Sequence, residues 1–197
     1  CIRDSFRSYS PAAQGQVTDF EIGSITFGVE NALAAAGTQA VEIRIYSDST
    51  PGDPAPLAGL TLLHTESFML ADTNLVTVTQ AMNPPVPFTV NGDDLVVEFY
   101  IPDGIANQEF FFIGSNDQGQ SAPGYLWAPT CGAAEPTDLG VLGFPNMHMI
   151  LDVDVYQPGT IMDVDGDGFN MIVDCNDNDN TVFPGAPEAN CNGVDED

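Results

Sequence analysis

Apolar and polar residues alternate with period two over most of residues 17–156, and a helical period of 3.6 is hard to find. Val41, Ile43 and Ile45 interleave with Glu42, Arg44 and Tyr46, and Leu95, Val97, Phe99 and Ile101 interleave with Val96, Glu98 and Tyr100. Successive strand side chains point to opposite faces, so each stretch reads as a strand. Met147, Met149, Leu151, Val153 and Val155 form the clearest row, set against His148, Ile150, Asp152 and Asp154. Further strands are expected over 19–29, 61–70, 74–80, 86–90 and 109–114, each bounded by Gly, Pro, Asn or Asp. The run Phe110-Phe111-Phe112-Ile113 predicts a strand covered on both faces. Only residues 29–36, VENALAAA, read as a short helix, and they serve equally well as a loop ending at Gly37. Eight or nine short strands separated by turn residues predict a mainly β fold, a single β-sandwich of jelly-roll or Greek-key type over residues 1–160. Gln157-Pro158-Gly159-Thr160 breaks the pattern, and a small irregular module is expected over residues 161–197.

The chemistry of that module lies in residues 163–174, DVDGDGFNMIVD. Asp163, Asp165 and Asp167 take positions 1, 3 and 5 of a twelve-residue loop, Gly168 takes position 6 and Asp174 position 12. This is the oxygen-ligand spacing of an EF-hand-type calcium loop. A hard divalent ion takes about six to eight oxygens, and alternate residues of a tightly curled loop aim their side chains inward. Gly168 permits the sharp turn and Phe169 offers its backbone carbonyl at position 7. Asp174 is shorter than the usual bidentate Glu, and Met171 at position 9 leaves that vertex to water. A second loop is expected in the same register, with Asp177, Asp179 and Thr181 at 1, 3 and 5, Phe183 at 7 and Glu188 at 12. Its position 6 is Val182, so Pro184-Gly185 and Pro187 must shape the turn. An acidic disordered tail is the competing reading. It fits poorly with the cysteines and with Phe169, Ile172, Val173, Val182 and Phe183 set among the acids.

Charge strengthens the case for a cation. The 197 residues carry 29 acidic groups against three arginines and no lysine, a formal charge of −26. Such a chain is repelled by nucleic acid and by anionic membranes, and its compact state is penalised unless cations neutralise part of it. Ten of the carboxylates lie in residues 163–197, where no basic residue accompanies them. Cys1, Cys131, Cys175 and Cys191 contain no C-x2-C pair, which weakens a zinc reading. Cys175 and Cys191 flank the second loop, and a bridge between them would contribute about 3 kcal/mol in the chain-entropy account. Cys1 would then pair with Cys131, while a lipid-bearing mature N-terminus is the other reading of Cys1. Calcium at millimolar levels and stable disulfides together place the chain outside the cell or on its surface. No signal peptide or membrane-spanning run is present, which reads as a mature or trimmed chain with no membrane insertion.

Asp163, Asp165, Asp167, Asp174, Cys175, Asp177, Pro184, Gly185, Ala186, Glu188, Cys191, Gly193 and Asp195 fill the pattern D-x-D-G-D-G, D-C-x-D, P-G-A-x-E, C-x-G-x-D. The segment resembles the bacterial MopE-type metal-binding repeat, over under a fifth of the chain. That resemblance implies a secreted or surface-attached bacterial protein in which the repeat trails a β-rich domain, with a further cysteine beyond Asp197. The family name refers to copper, yet the ligands here are nearly all oxygens, which suit calcium. FEIGSITFGVE (Phe20 to Glu30), FIGSN (Phe112 to Asn116), Cys131-Gly132 and the Met-His strand resemble an uncharacterised β-rich domain of secreted bacterial proteins. This second likeness implies no activity.

Nothing in the sequence singles out a catalytic centre. No G-x-S-x-G occurs, and Ser121 sits in GQSAPG without that spacing. His64 and His148 each lie in a strand without a partner nearby in sequence. Met147-His148-Met149 offers soft ligands for copper, but alternation puts the methionines and the histidine on opposite faces. No carboxylate pair stands out for glycoside hydrolysis. Tyr125 and Trp127 read either as a sugar-stacking platform or as a cover over the sandwich edge. The chain is therefore expected to be non-catalytic, and two function classes stay open. One is a calcium-stabilised structural or surface protein, a homopolymer joined head to tail into a filament or surface layer. The other is a secreted carbohydrate-binding or adhesion module with glycans as partners and a calcium-rigidified tail. For the first, Arg3 and Arg7 supply a basic end and Asp195, Glu196 and Asp197 an acidic end, and such heterologous contacts make a fibre.

Overall fold

The computed structural model describes residues 4–50, 57–101, 108–159 and 163–187. It is mainly β, with no α-helix among the described residues. Strands β1 (Asp4–Tyr9), β3 (Thr38–Asp48), β4 (Leu60–Ala71), β6 (Asp94–Tyr100), β9 (Gly124–Ala128) and β10 (Ala133–Asp138) form a six-stranded sheet in the order β10-β9-β1-β6-β3-β4. Its ladders are antiparallel: Phe6 opposes Glu98 and Tyr125, and Ile43 opposes Phe99 and Glu66. Strands β12 (Leu151–Tyr156), β2 (Phe20–Leu33) and β5 (Thr73–Phe88) lie in that order in a second sheet, where β7 (Phe110–Ile113) also pairs with β2. Strands β8 (Ser115–Asn116) and β11 (His148–Met149) make a short ladder of their own.

The chain divides into two compact units. The first comprises Cys1–Thr18, Thr26–Val78 and Val90–Asp152, and the second Asp19–Ile25, Thr79–Thr89 and Val153–Asp197. The second unit thus takes the start of β2, the end of β5 and most of β12 along with the Asp-rich segment, whereas the sequence reading starts the module at residue 161. In the first unit Val41, Ile43 and Ile45 are fully buried, as their alternation predicts. The Phe27 ring of β2 lies 4.6 Å from Phe99 of β6 and 6.1 Å from Phe68 of β4. Strand β6 is buried on both faces, because Phe6 and Tyr125 pack with Val96 on the side away from Phe99, joined by Tyr46, Leu60 and Trp127. In the second unit Phe20 stacks on Phe88 at 5.0 Å, and Ile22 and Met82 are fully buried. Pro84, Pro85 and Pro87 sit in β5 at the edge of its sheet, the position in which strands tolerate proline.

Several local expectations are corrected. VENALAAA is no helix: it runs as strand to Leu33, where Ala32 and Leu33 pair with Phe111 and Phe110. Ladder partners override the helix preference of alanine. Asp72 Oδ1 then accepts the Ala34 N–H, and Gly37 closes the turn at φ +78°. Strand β7 is not covered on both faces, since it pairs only with β2 among the described strands and leaves Phe110 and Phe112 about half exposed. The 147–155 row is broken at Ile150, which donates to the Gly114 carbonyl and accepts from the Gly28 N–H. A Cβ on Gly28 would lie 2.9 Å from Ile150 Cβ, so this close approach requires glycine. Tyr125 is 4% exposed, and Trp127 packs partly buried against the same cluster with Phe6 and Val96 and donates to the Ala134 carbonyl. The largest correction concerns residues 4–9, read as part of a basic end that meets a neighbouring chain and not as a strand. They form an inner strand between β6 and β9, with Arg7 only 2% exposed, so Arg7 is not available to a neighbouring chain. Arg3 and Asp195–Asp197 lie outside the described residues.

The inner strand β1 also places a carboxylate where solvent does not reach. Asp4 is fully buried, and neither of its oxygens has a hydrogen bond of good geometry. Near it Tyr46 donates to Glu98 at 2.5 Å, and Arg44 pairs with Glu42 at 2.6 Å and with Glu98 at 3.7 Å. Burial first, and then Glu98, push the Asp4 pKa from 3.8 up to about 7, with the Ile101 backbone amide and Arg44 opposing. Burial also raises Glu98, against the pull of Tyr46 and Arg44. The folded chain therefore keeps a proton on Asp4 that the unfolded chain releases from about pH 4 upward. Stability should fall as pH rises between those two values, by up to about 1.4 kcal/mol per pH unit. Asp4→Asn should flatten the slope and raise the thermal midpoint at pH 8. Melting curves of both proteins in chelator from pH 4 to pH 8 check this, and parallel curves would contradict it.

Candidate metal centre

Residues 163–187 form a loop built from side chains that cap their own backbone, as Asp and Asn do in turns. Asp163 accepts the Gly166 N–H at 2.7 Å and the Gly168 N–H at 3.0 Å. Asp165 accepts from Asp167 at 3.3 Å, Asp167 from Phe169 at 2.8 Å, and Asn170 from Ile172 at 3.0 Å. Asp174 accepts from Asn176 at 2.8 Å, and Asp177 reaches back to the Val164 N–H at 3.0 Å. Gly166 (φ +78°) and Gly168 (φ +100°) take the left-handed conformation that the tight curl demands. Phe169 and Phe183 stack at 5.5 Å with planes 7° apart, and Val182 and Ala186 are buried. The Gly168 carbonyl accepts from Asn83 Nδ2 at 2.9 Å.

These turns converge carboxylates. Oxygens of Asp165, Asp167 and Asp174 lie within 4.8 Å of one another, as do those of Asp163, Asp165 and Asp177, so Asp165 belongs to both groups. One oxygen of each of Asp165, Asp167 and Asp174 caps a backbone N–H, while Oδ2 of each is buried without a hydrogen-bond partner. Asp174 as a whole is 6% exposed. Unpaired buried anionic oxygens are costly, and a cation among them removes both the desolvation penalty and the mutual repulsion. The Asp165 carboxyl is held above the ordinary range, by burial first and then by Asp167, Asp174 and Asp163, with the Asp167 amide opposing. Every converging donor is a carboxylate oxygen, and the arrangement can hold a hard metal ion.

Of the four acids expected in the first loop, Asp165, Asp167 and Asp174 converge in one group, while Asp163 meets Asp165 in the other. Asp177, expected at the head of the second loop, lies with Asp163 and Asp165, because the turns at Asn170 and Asp174 fold the chain back by thirteen residues. Asp179 accepts from the Thr181 N–H at 3.2 Å and its hydroxyl at 2.7 Å, and Asp179 lies in neither group. The Phe183 carbonyl accepts the Ala186 N–H at 2.8 Å and closes a turn. Phe169 supplies its ring to the stack, and Glu188 lies outside the described residues. Cys175 is free and exposed while its neighbours Asp174 and Asp177 turn inward, so the expected bridge from Cys175 to Cys191 is not formed. Cys131 is disulfide-bonded. Its expected partner Cys1 lies outside the described residues, as does Cys191. Asn83, eighty-five residues from the carbonyl it holds, carries no sequence signal for that role. The run of Asn and Asp over 170–179 was the available signal for the fold-back that recruits Asp177.

Comparison with known proteins gives no match: no family model, no curated protein and no solved structure matches the chain. The geometry alone makes a discriminating prediction. Asp177→Asn should weaken divalent-ion binding about tenfold or more, the worth of one charge-assisted contact, whereas Asp179→Asn should change it by less than about threefold. Calorimetric titration with calcium distinguishes the two, and equal losses would show that Asp179 and Asp177 act as a pair in a second loop.

Proposed function

We propose that the chain is a non-catalytic extracellular structural protein whose Asp-rich segment is ordered and stiffened by calcium. The observation that carries this reading is the set of buried, partnerless oxygens of Asp165, Asp167 and Asp174. Calcium favours all-oxygen shells and tolerates irregular geometry, whereas copper and zinc favour the nitrogen and sulfur donors that neither group contains. Bound ions share Asp165. They offset an ordering cost of about 1–2 kcal/mol per residue that Phe169, Phe183, Val182 and Ala186 are too few to cover. The resemblance to the MopE-type repeat supports the same reading and, with it, a bacterial cell-surface setting. We read the β-rich part as a sandwich, with Phe27 packing against Phe68 and Phe99 as its support.

Assembly into a head-to-tail homopolymer remains part of this proposal, but its contact is a sheet edge rather than Arg7. Strand β4 ends the six-stranded sheet and exposes Leu62, Leu63 and Met69, and such an edge accepts a strand from another chain. A glycan-binding role is the second reading, and the cavity beside Arg7 favours it.

Chelation should make residues 163–187 protease-sensitive while β3 and β6 stay protected. Equal resistance of the segment with and without EDTA would refute the calcium account. Elemental analysis of the native chain should find calcium, and stoichiometric copper or zinc in its place would refute the choice of ion. Light scattering at millimolar calcium should detect assemblies larger than a monomer, and a monomer under those conditions removes the polymer.

A further inference from the structure

In the first unit a cavity of about 420 Å³ lies beside β1, lined by Arg7, Tyr9, Asn116, Ser121, His148 and Asp152 among others. Arg7 donates from Nη1 to the Met149 carbonyl, and from Nη2 to Ser121 Oγ at 2.8 Å and to His148 Nε2 at 2.7 Å. Its Nε is buried without a partner, and it forms no ion pair among the described residues. In a chain of 29 acids, a buried guanidinium without a carboxylate is conspicuous. Arg44, the other described arginine, is held by Glu42 and Glu98. Ser121 is exposed, so the cavity is reached from solvent on its side.

Ser121 Oγ lies 3.1 Å from His148 Nε2, the separation of a nucleophile and its base. Arg7 argues against that chemistry. Taking the serine proton would set an imidazolium 2.7 Å from a guanidinium, and burial followed by Arg7 already hold the His148 pKa below its ordinary value, with Asp152 opposing. The same positive field suits an arriving anion, for which guanidinium and hydroxyl are ready donors. One cation matches one carboxylate, whereas a phosphate dianion would bring excess charge toward Asp152. Asp152 and Asn116 are left to meet hydroxyl groups, and the Tyr9 ring offers an apolar wall.

We propose that this cavity binds a carboxylate-bearing sugar residue such as a uronic acid, its carboxylate on Arg7, Ser121 and His148 and its hydroxyls on Asp152 and Asn116. The site stands independently of the calcium reading. Binding is linked to protonation: an anion beside His148 raises the pKa of the imidazole, so affinity grows as pH falls through its range. The groups facing His148 are Arg7 and Tyr9 from β1, Asn116 from β8, Ser121 and Asp152.

The chain has two histidines, so NMR can follow His148 with His64 as an internal control. The full chain in calcium buffer is titrated with galacturonate, galactose and acetate. Galacturonate should move the His148 ring signals and raise its pKa while leaving His64 unchanged, and the other two should bind about tenfold or more weakly. Ser121→Ala, at an exposed position, should weaken galacturonate about three- to tenfold with His64 signals intact, and Arg7→Lys should weaken it further. An unmoved His148, or acetate or galactose binding as tightly as galacturonate, would overturn the proposal.

Discussion

Repulsion between carboxylates shapes this molecule more than any single contact, because 29 acids share a chain with three arginines. The fold handles the excess in three ways. Some acids are neutralised by a proton, as burial and Glu98 do to Asp4. Some are paired, as Glu42 and Glu98 are with Arg44. In residues 163–177 no basic residue is present, and five aspartates are turned toward one another, three of them with a buried oxygen left bare. Asp163 spends both oxygens on backbone N–H groups and the other four spend one each, which fixes their directions, and that is why the loop converges rather than splaying. On our account calcium completes the arrangement.

The two described arginines have different surroundings. Arg44 lies over the Tyr100 ring at 3.7 Å and is closed off by two glutamates. Arg7 occupies an inner strand, yet its guanidinium meets a serine, a histidine and a carbonyl instead of an acid. Burying a charge without a counter-charge is expensive, so a counter-charge supplied by a ligand has a free-energy advantage built into the cavity. The β-sheet makes this possible because β1 is held on both sides by ladders and does not depend on that ion pair.

Strands were legible where one face is buried, as at β3, because period-two alternation follows directly from the pleat. The first strand was not, since residues 4–9 carry Asp, Ser, Arg and Ser and look like a polar leader. Only the neighbours supplied by β6 and β9 make that sequence an inner strand. Four acids of the two carboxylate groups, at 163, 165, 167 and 174, stood out in the sequence by their spacing. Asp177 was assigned to the next loop because a linear register cannot register a fold-back. The Arg7, Ser121 and His148 cluster joins residues over a hundred positions apart, and no local pattern announces it.

Element-specific X-ray diffraction from crystals grown with calcium tests the central claim most directly. The account predicts anomalous calcium signal about 2.3–2.6 Å from oxygens of Asp165, with Asp163 and Asp177 on one side and Asp167 and Asp174 on the other. The same fold of residues 163–177 with no ion bound to Asp165 would contradict it.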